Sequence, residues 1–293
     1  MKITEKYVLN LILSIILVFS VIGATAVFFV DCNLLNADKY IEISDEKNIP
    51  KMAYNEINQY FTDGEDYSKI PADVYMSVIT EDDVKELIDL KINSVVSYMN
   101  NGSEQLSLKT EYDYTDLKNS ITDYFNKFAE ENNVEINDYF NTQLEKTIST
   151  AISEIESFTD IYMFEIVDKT GMLQKINKVS PYINPIKYVL MGAAVLLVVL
   201  IVFASRKNIC NILYWIGIPT LAVGVLVLVP SLYLKITGIA EKFIIRNDCV
   251  YTAYTGFMND IIISMMITGL VILLISVCVL FAGAFISKKK KSE

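Results

Sequence analysis

The sequence contains four long apolar stretches and one extended polar region. Charged residues are absent from residues 7–30, 188–205, 208–234 and 261–287. A helix rises about 1.5 Å per residue and the hydrocarbon core of a bilayer is about 30 Å thick, so each stretch is long enough to span it, the second only just. We therefore predict four transmembrane helices over these residues.

The first span has an alternative interpretation as a cleaved signal peptide. Lys2 and Lys6 precede the apolar run, and Ala24-Thr25-Ala26 has the small-x-small pattern of a cleavage site. The run continues beyond that triplet to Val30, which the short apolar core of a signal peptide does not normally do. We expect an uncleaved membrane anchor.

The polar region, residues 31–187, has the periodicity of amphipathic helices. Apolar residues recur every three or four positions in four segments, and Thr80 and Asp83 have the spacing of a capping box before one of them. Breaks are expected at 100–102 and 131–133. The recurring positions are Val84, Leu87, Ile88, Lys91, Ile92, Val95, Val96 and Met99; Leu117, Ile121, Tyr124, Phe125 and Phe128; Ile136, Tyr139, Phe140, Leu144, Ile148, Ile152 and Ile155; and Tyr54, Ile57, Tyr60 and Phe61.

This pattern predicts an all-α membrane protein. Its four transmembrane helices carry a helical extracytoplasmic domain, a bundle of four or five helices, inserted between helices 1 and 2. Two aromatic stripes within the bundle are candidates for the lining of a ligand pocket. Stripes at helical spacing usually form core, so core is the expectation and a pocket is the alternative. The stripes are Tyr54, Tyr60 and Phe61, and Tyr124, Phe125 and Phe128.

The orientation follows from short basic segments. Basic residues occur at the amino end, at 206–207 and at 288–291, and four spans place all three on one face of the membrane. The positive-inside rule assigns that face to the cytoplasm. We predict a multi-pass plasma-membrane protein with both termini cytoplasmic. Residues 31–187 and a loop at 235–260 with an interfacial segment are then outside.

Charge and composition exclude several classes of function. Residues 31–187 contain 30 acidic and 14 basic residues, a net charge of −16, which argues against a nucleic-acid partner. The chain has no histidine, so it has no Ser-His-Asp triad, no HExxH motif and no His-ligated zinc. The acidic runs at 63–66 and 81–83 lack the spacing of a calcium loop. We predict a protein that is not an enzyme and has no cofactor or metal.

Two other classes of function are ion-coupled transporters and enzymes that act on the outer face. No ionisable Asp, Glu, Lys or Arg lies inside a span, which disfavours ion pumps and proton-coupled carriers. An enzyme on the outer face would need two buried carboxylates that converge in a cleft, and the acid spacing singles out no such pair.

The four cysteines divide by their position along the chain. Cys210 and Cys278 belong to spans, whereas Cys32 and Cys249 both fall in segments predicted to be outside. Cys32 and Cys249 are therefore a candidate disulfide, with free thiols as the alternative. A bridge requires Cα atoms within about 7 Å, and identical mobility on reducing and non-reducing gels would show that it does not form.

Three motifs carry a resemblance to uncharacterised four-span membrane proteins of low-GC Gram-positive bacteria: NADKY at 36–40, ITEDDVK at 79–85 and VSYMNNG at 96–102. The layout of one span, a large outer domain and three spans also resembles FtsX and MacB-type permeases. Those families contact an ATPase through cytoplasmic segments that correspond here to only Met1–Lys6 and 205–208.

We expect a non-enzymatic integral membrane protein whose outer helical domain senses a ligand or docks a partner. Its partners would be the lipid bilayer and a membrane or cell-surface protein. The alternative is an ABC-type permease or transport accessory subunit, which an adjacent ATPase gene would favour.

Overall fold

The computed structural model describes residues 3–101, 111–206 and 208–292. It is 86% helical and has no strand within those residues, so the predicted all-α class is confirmed. The helices are α1 (Ile3–Phe29), α2 (Ala37–Glu46), α3 (Ile49–Ser68), α4 (Asp73–Met76), α5 (Glu81–Asn101), α6 (Thr115–Asn132), α7 (Asp138–Phe158), α8 (Phe164–Lys169), α9 (Met172–Val179), α10 (Ile183–Ser205), α11 (Ile209–Thr237) and α12 (Asp248–Ser292).

Four helical segments are long and apolar enough to cross a membrane. They are Lys6–Leu34, Met172–Ser205, Ile209–Lys242 and Asp248–Lys288. Many of their large apolar side chains face outward, Phe281 with 72% of its surface exposed. Exposed apolar surface on this scale needs an apolar solvent. The four candidate spans indicate a multi-pass membrane protein.

The chain divides into two compact units, which are described separately. The first, here called the membrane unit, comprises Met1–Asn36, Val179–Phe243 and Phe257–Glu293. The second, the polar unit, comprises Ala37–Lys178 and Ile244–Gly256. Residues 244–256 therefore pack with the polar unit although they lie far from it in sequence.

In the membrane unit, α1 packs against α10 and α11. Their shared core consists of Leu17, Leu197, Ile201 and Trp215. At one end of this core Asn10 Nδ2 donates to Ser205 Oγ at 2.8 Å. Side-chain hydrogen bonds between helices contribute about 0.6 kcal/mol each in lipid, so this buried bond helps to fix how α1 faces α10.

A second polar contact joins α1 to α11 at a proline. Ser14 Oγ donates to the carbonyl of Trp215 at 3.0 Å. That carbonyl would ordinarily accept from the amide four residues later, but residue 219 is Pro219 and has no N–H. Ser14 therefore satisfies the acceptor that the proline leaves open, one of the ways in which membrane helices tolerate proline.

Helices α11 and α12 approach closely at glycines. A Cβ added at Gly224 would lie 2.8 Å from the backbone nitrogen of Leu273, and one at Gly269 would lie 2.7 Å from that of Leu228. Both contacts have the same antiparallel register. Small residues at such positions let two membrane helices pack backbone to backbone.

The core of the polar unit is built around α5, which packs against α2 and α3. Its buried face repeats every three or four residues, as the amphipathic pattern predicted. The predicted capping box is also present: Thr80 N donates to Asp83 Oδ2 at 2.8 Å and Asp83 N donates to Thr80 Oγ1 at 3.2 Å. The residues of the buried face are Val84, Leu87, Ile88, Lys91, Ile92, Val95, Val96 and Met99.

Lys91 is the charged member of that buried face, with only 1% of its surface exposed. Its Nζ donates to the carbonyl of Glu156 at 2.8 Å and lies 3.8 Å from Glu165 Oε1. Thr159 Oγ1 donates to the same carbonyl at 3.0 Å. The ammonium group is thus satisfied largely by the backbone.

The other three predicted amphipathic helices are confirmed as α3, α6 and α7. The break predicted at 131–133 is the end of α6, where Asn133 is left-handed with φ 50°. Gly102 of the other predicted break, which also ends the third motif, lies outside the described residues, as does Lys207 of the basic pair at 206–207.

Residues 244–256 are held in the polar unit by Glu56 of α3. Its carboxylate accepts from Asn247 Nδ2 at 2.6 Å and from Cys249 N at 3.2 Å. Further along, a Cβ added at Gly256 would lie 3.1 Å from Ile43. Helix α12 begins at Asp248, so part of the loop predicted at 235–260 is helical.

Candidate functional site

The polar unit contains a cavity of about 840 Å³ bounded by α3, α6, α7 and the turn after α3. This volume falls within the range of about 300–1,000 Å³ that is usual for small-molecule sites. Aromatic side chains dominate its lining: Tyr60, Phe61, Tyr67, Tyr75, Tyr124, Phe125 and Phe128. Small and polar side chains of α7 form the opposite wall: Gln143, Lys146, Thr147, Thr150, Ala151 and Glu154.

Local capping interactions fix where the helices that line this cavity begin and end. The left-handed Asn133 ends α6, and the side chain of Asn137 begins α7 by accepting from Phe140 N at 3.0 Å. The left-handed Lys69 ends α3, and its carbonyl accepts from Tyr124 Oη at 2.7 Å. These caps fix the end of α3, the end of α6 and the beginning of α7, and the one at Lys69 lies in the cavity lining itself.

The aromatic stripes are only partly core. Phe61 is buried and stacks on Tyr75, with 4.1 Å between ring centroids and 13° between ring planes. Tyr60 and Phe128 keep 40% and 47% of their surface exposed, so the expectation of a core role is wrong for these two. Tyr54 does not line the cavity. Five of the six stripe residues line the cavity, as the pocket alternative predicted.

Tyr60 of the aromatic wall interacts electrostatically with Glu154 of the polar wall. Partial burial raises the pKa of the Tyr60 hydroxyl, and the negative charge and hydrogen bond of Glu154 raise it further. Tyr60 therefore stays protonated and donates, while Glu154 accepts. A carboxylate has room for several donors, so Glu154 can accept from a ligand as well.

Deeper in the cavity, burial raises the pKa of Tyr75 to about 12, with smaller contributions from Tyr124 and Tyr60. A phenol of this kind is neutral at physiological pH and cannot act as a base. The inner wall therefore offers aromatic faces and hydroxyl dipoles without charge, an environment that suits binding.

Acids elsewhere in the polar unit serve as helix caps. Asp160, 8% exposed, accepts from Phe164 N at 2.8 Å and Glu165 N at 3.0 Å, which caps the first turn of α8. Glu65 accepts from Ala72 N at 2.6 Å. Within the described ranges, no group of three or more acidic or cysteine side chains is placed to hold a metal ion.

The cysteines of the candidate disulfide have different environments. Cys32 is exposed in the membrane unit, whereas Cys249 is buried in the polar unit with its Sγ 3.9 Å from the carbonyl of Ile49. Both are free thiols in this structure. The pairing of Cys32 with Cys249 stays a prediction for non-reducing gels.

From sequence alone a pocket is only the alternative to a core, because the residues of the opposite wall are unremarkable in sequence. Thr147, Thr150 and Ala151 place small side chains on the face of α7 that lines the cavity, between larger apolar residues at Leu144 and Ile155. Small residues facing two aromatic stripes leave volume unfilled. That combination is the signal that could have predicted it.

No protein-family model, curated protein or solved structure matches this chain.

Proposed function

We propose that this chain is a non-enzymatic membrane receptor that binds a small organic ligand in the cavity of the polar unit. The observation that carries the proposal is the cavity itself, about 840 Å³ in volume and lined by seven aromatic side chains. A cavity of this size can accommodate a drug-sized molecule. The neutral phenol of Tyr75 in the inner wall favours binding over acid–base catalysis.

The receptor is oriented with the polar unit outside the plasma membrane and both termini in the cytoplasm. The distribution of basic residues supports this orientation through the positive-inside rule. The polar unit then samples ligands outside the cell, and the spans serve as anchor and relay.

Signal relay would require a second protein in the membrane. The segment at 205–208, between the second and third spans, is too short to form a cytoplasmic signalling domain. Affinity purification from mild detergent at native expression should recover such a partner. Recovery of the chain alone would reduce the proposal to ligand binding by an anchored domain.

The binding proposal is tested with naphthylethanol, a neutral aromatic probe, and the full chain in lipid nanodiscs. Saturable binding above that of empty nanodiscs is expected. Thr147→Trp, which fills the cavity, should weaken binding at least about tenfold, since the indole occupies the space that the probe needs.

Thr142→Trp is the matched control. Thr142 and Thr147 lie on the same helix and each donates its hydroxyl to the carbonyl four residues earlier, but only Thr147 lines the cavity. The control should bind the probe as the wild type does. Equal binding by both variants would contradict the proposal.

A further inference from the structure

The charged side chains of the cavity differ in their burial. Asp63, Lys69 and Lys146 are exposed at its rim, whereas Glu154 is half-buried between the aromatic wall and α7. An ion pair formed at the exposed rim is weak because water screens it. Glu154 therefore decides which sign of ligand charge the cavity favours.

Glu154 can accept several hydrogen bonds. A carboxylate has about four acceptor positions, so its interaction with the Tyr60 hydroxyl leaves positions open for a ligand. A bound ammonium group has several donors and no acceptor, which complements the remaining positions. A bound carboxylate would instead be repelled there.

The aromatic wall favours the same sign of charge. Aromatic faces carry partial negative charge and attract an ammonium group within about 6 Å of a ring centroid. Tyr60, Phe125 and Phe128 line the cavity on the side facing α7. The net charge of −16 over residues 31–187 further raises the local concentration of cations.

We propose that the ligand is an organic ammonium ion whose cationic group pairs with Glu154 and whose apolar body packs against the aromatic wall. This inference rests on the proposed function, since it names the class of ligand for the same cavity. Neutral aromatic molecules bind more weakly, and aromatic anions bind least.

Three probes of nearly equal shape test the charge preference: naphthylethylammonium, naphthylethanol and naphthylacetate. They are titrated against the full chain in nanodiscs of phosphatidylcholine, which carries no net charge, with empty nanodiscs as the blank. The cation should bind about tenfold more tightly than the alcohol, the contribution of one charge-assisted hydrogen bond.

Two variants assign the preference to one carboxylate. Glu154→Gln should remove the advantage of the cation over naphthylethanol, so that the two probes bind within about threefold of each other. Glu145→Gln, an exposed position on the same helix that does not line the cavity, should retain the full preference.

The outcomes separate the two proposals. Cation and alcohol binding equally well, or a cation preference that survives in Glu154→Gln, overturns the ammonium inference while leaving the cavity as a binding site. Tightest binding of naphthylacetate would also overturn the ammonium inference and leave the cavity as a binding site. Failure of all three probes to bind the wild type overturns the proposed function itself.

Discussion

Lys91 shows how a buried charge is accommodated in the polar unit. Its ammonium group donates to the carbonyl of Glu156, which also accepts from Thr159. Its acidic neighbour, Glu165, is 46% exposed and therefore hydrated. Without the ammonium group, the carbonyl of Glu156 would keep Thr159 as its donor. The charge of Lys91 also acts on the buried Asp160, which would keep its two backbone donors in the first turn of α8.

The first prediction follows from that arrangement. Lys91→Met keeps most of the side-chain volume and should change stability by less than about 1 kcal/mol. Lys91→Ala leaves a cavity in the core and should cost about 2–3 kcal/mol. Thermal unfolding in detergent, with the exposed Lys127→Met as control, measures both. Equal losses for the methionine and alanine variants would show that the charge itself is required.

Asp160 predicts a pH dependence of stability. Burial raises the pKa of its carboxyl above the ordinary range, and the backbone hydrogen bonds from Glu165 and Phe164 and the charge of Lys91 only partly oppose this. The folded protein therefore holds this proton more tightly than the unfolded chain. The contribution is stabilising in acid and is lost as pH rises through the folded pKa.

The second prediction is that Asp160→Asn removes this part of the pH dependence. Each unit of pKa difference corresponds to about 1.4 kcal/mol. As the pH is lowered from 7 to 4, the thermal unfolding midpoint of the wild type should fall less, or rise more, than that of the variant. Asp123→Asn, an exposed position, should follow the wild type. Parallel curves for wild type and Asp160→Asn would contradict the assignment.

At the scale of elements, the packing of α11 on α12 depends on glycines that touch backbone. Alanine in place of a helical glycine normally favours a helix by about 1 kcal/mol. At Gly224 and Gly269 the added methyl would meet backbone atoms of the partner helix at 2.8 and 2.7 Å, and backbone cannot move aside without separating the helices.

The third prediction is a loss of about 1–3 kcal/mol for Gly224→Ala or Gly269→Ala, because overpacking outweighs helix propensity. Gly192 in α10 provides the control, since a Cβ there meets nothing within 4 Å. Gly192→Ala should leave the thermal midpoint in detergent unchanged or slightly higher. A rise at all three positions would mean that α11 and α12 are not in close contact.

Elements were easier to predict from sequence than the surfaces between them. The repeat from Val84 to Met99 specifies a helix and its buried face, because both follow from local periodicity. The same periodicity does not say how far α7 stands from α3 and α6. That separation depends on the sizes of Thr147, Thr150 and Ala151 in three dimensions, and it decides whether Tyr60 and Phe128 are core or cavity wall.

Residues 244–256 show a second limit of sequence analysis. Their attachment to the polar unit depends on Glu56, nearly two hundred residues away, and on the close approach of Gly256 to Ile43. Neither interaction has a local signature. The spans were predictable by contrast, because a long uncharged run needs no knowledge of its neighbours.

At the scale of the whole molecule, the orientation in the membrane is the property on which the proposed function most depends. The fourth prediction uses a variant whose native cysteines are replaced and that carries Ser103→Cys or Ser292→Cys. An impermeant maleimide should label the first in intact cells and the second only after permeabilisation. Ser103 lies outside the described residues, and its use rests on the positive-inside rule. The reverse result would place the polar unit in the cytoplasm.

Pro219 makes two helices depend on each other in a way that a double-mutant cycle can measure. With proline present, the carbonyl of Trp215 relies on Ser14, so Ser14→Ala should cost about 0.6–1 kcal/mol. In a Pro219→Ala background, α11 regains its own donor and the serine substitution should cost almost nothing. The two sites should therefore be non-additive. A proline that is usually considered a helix breaker would then be the reason that α1 and α11 are thermodynamically coupled.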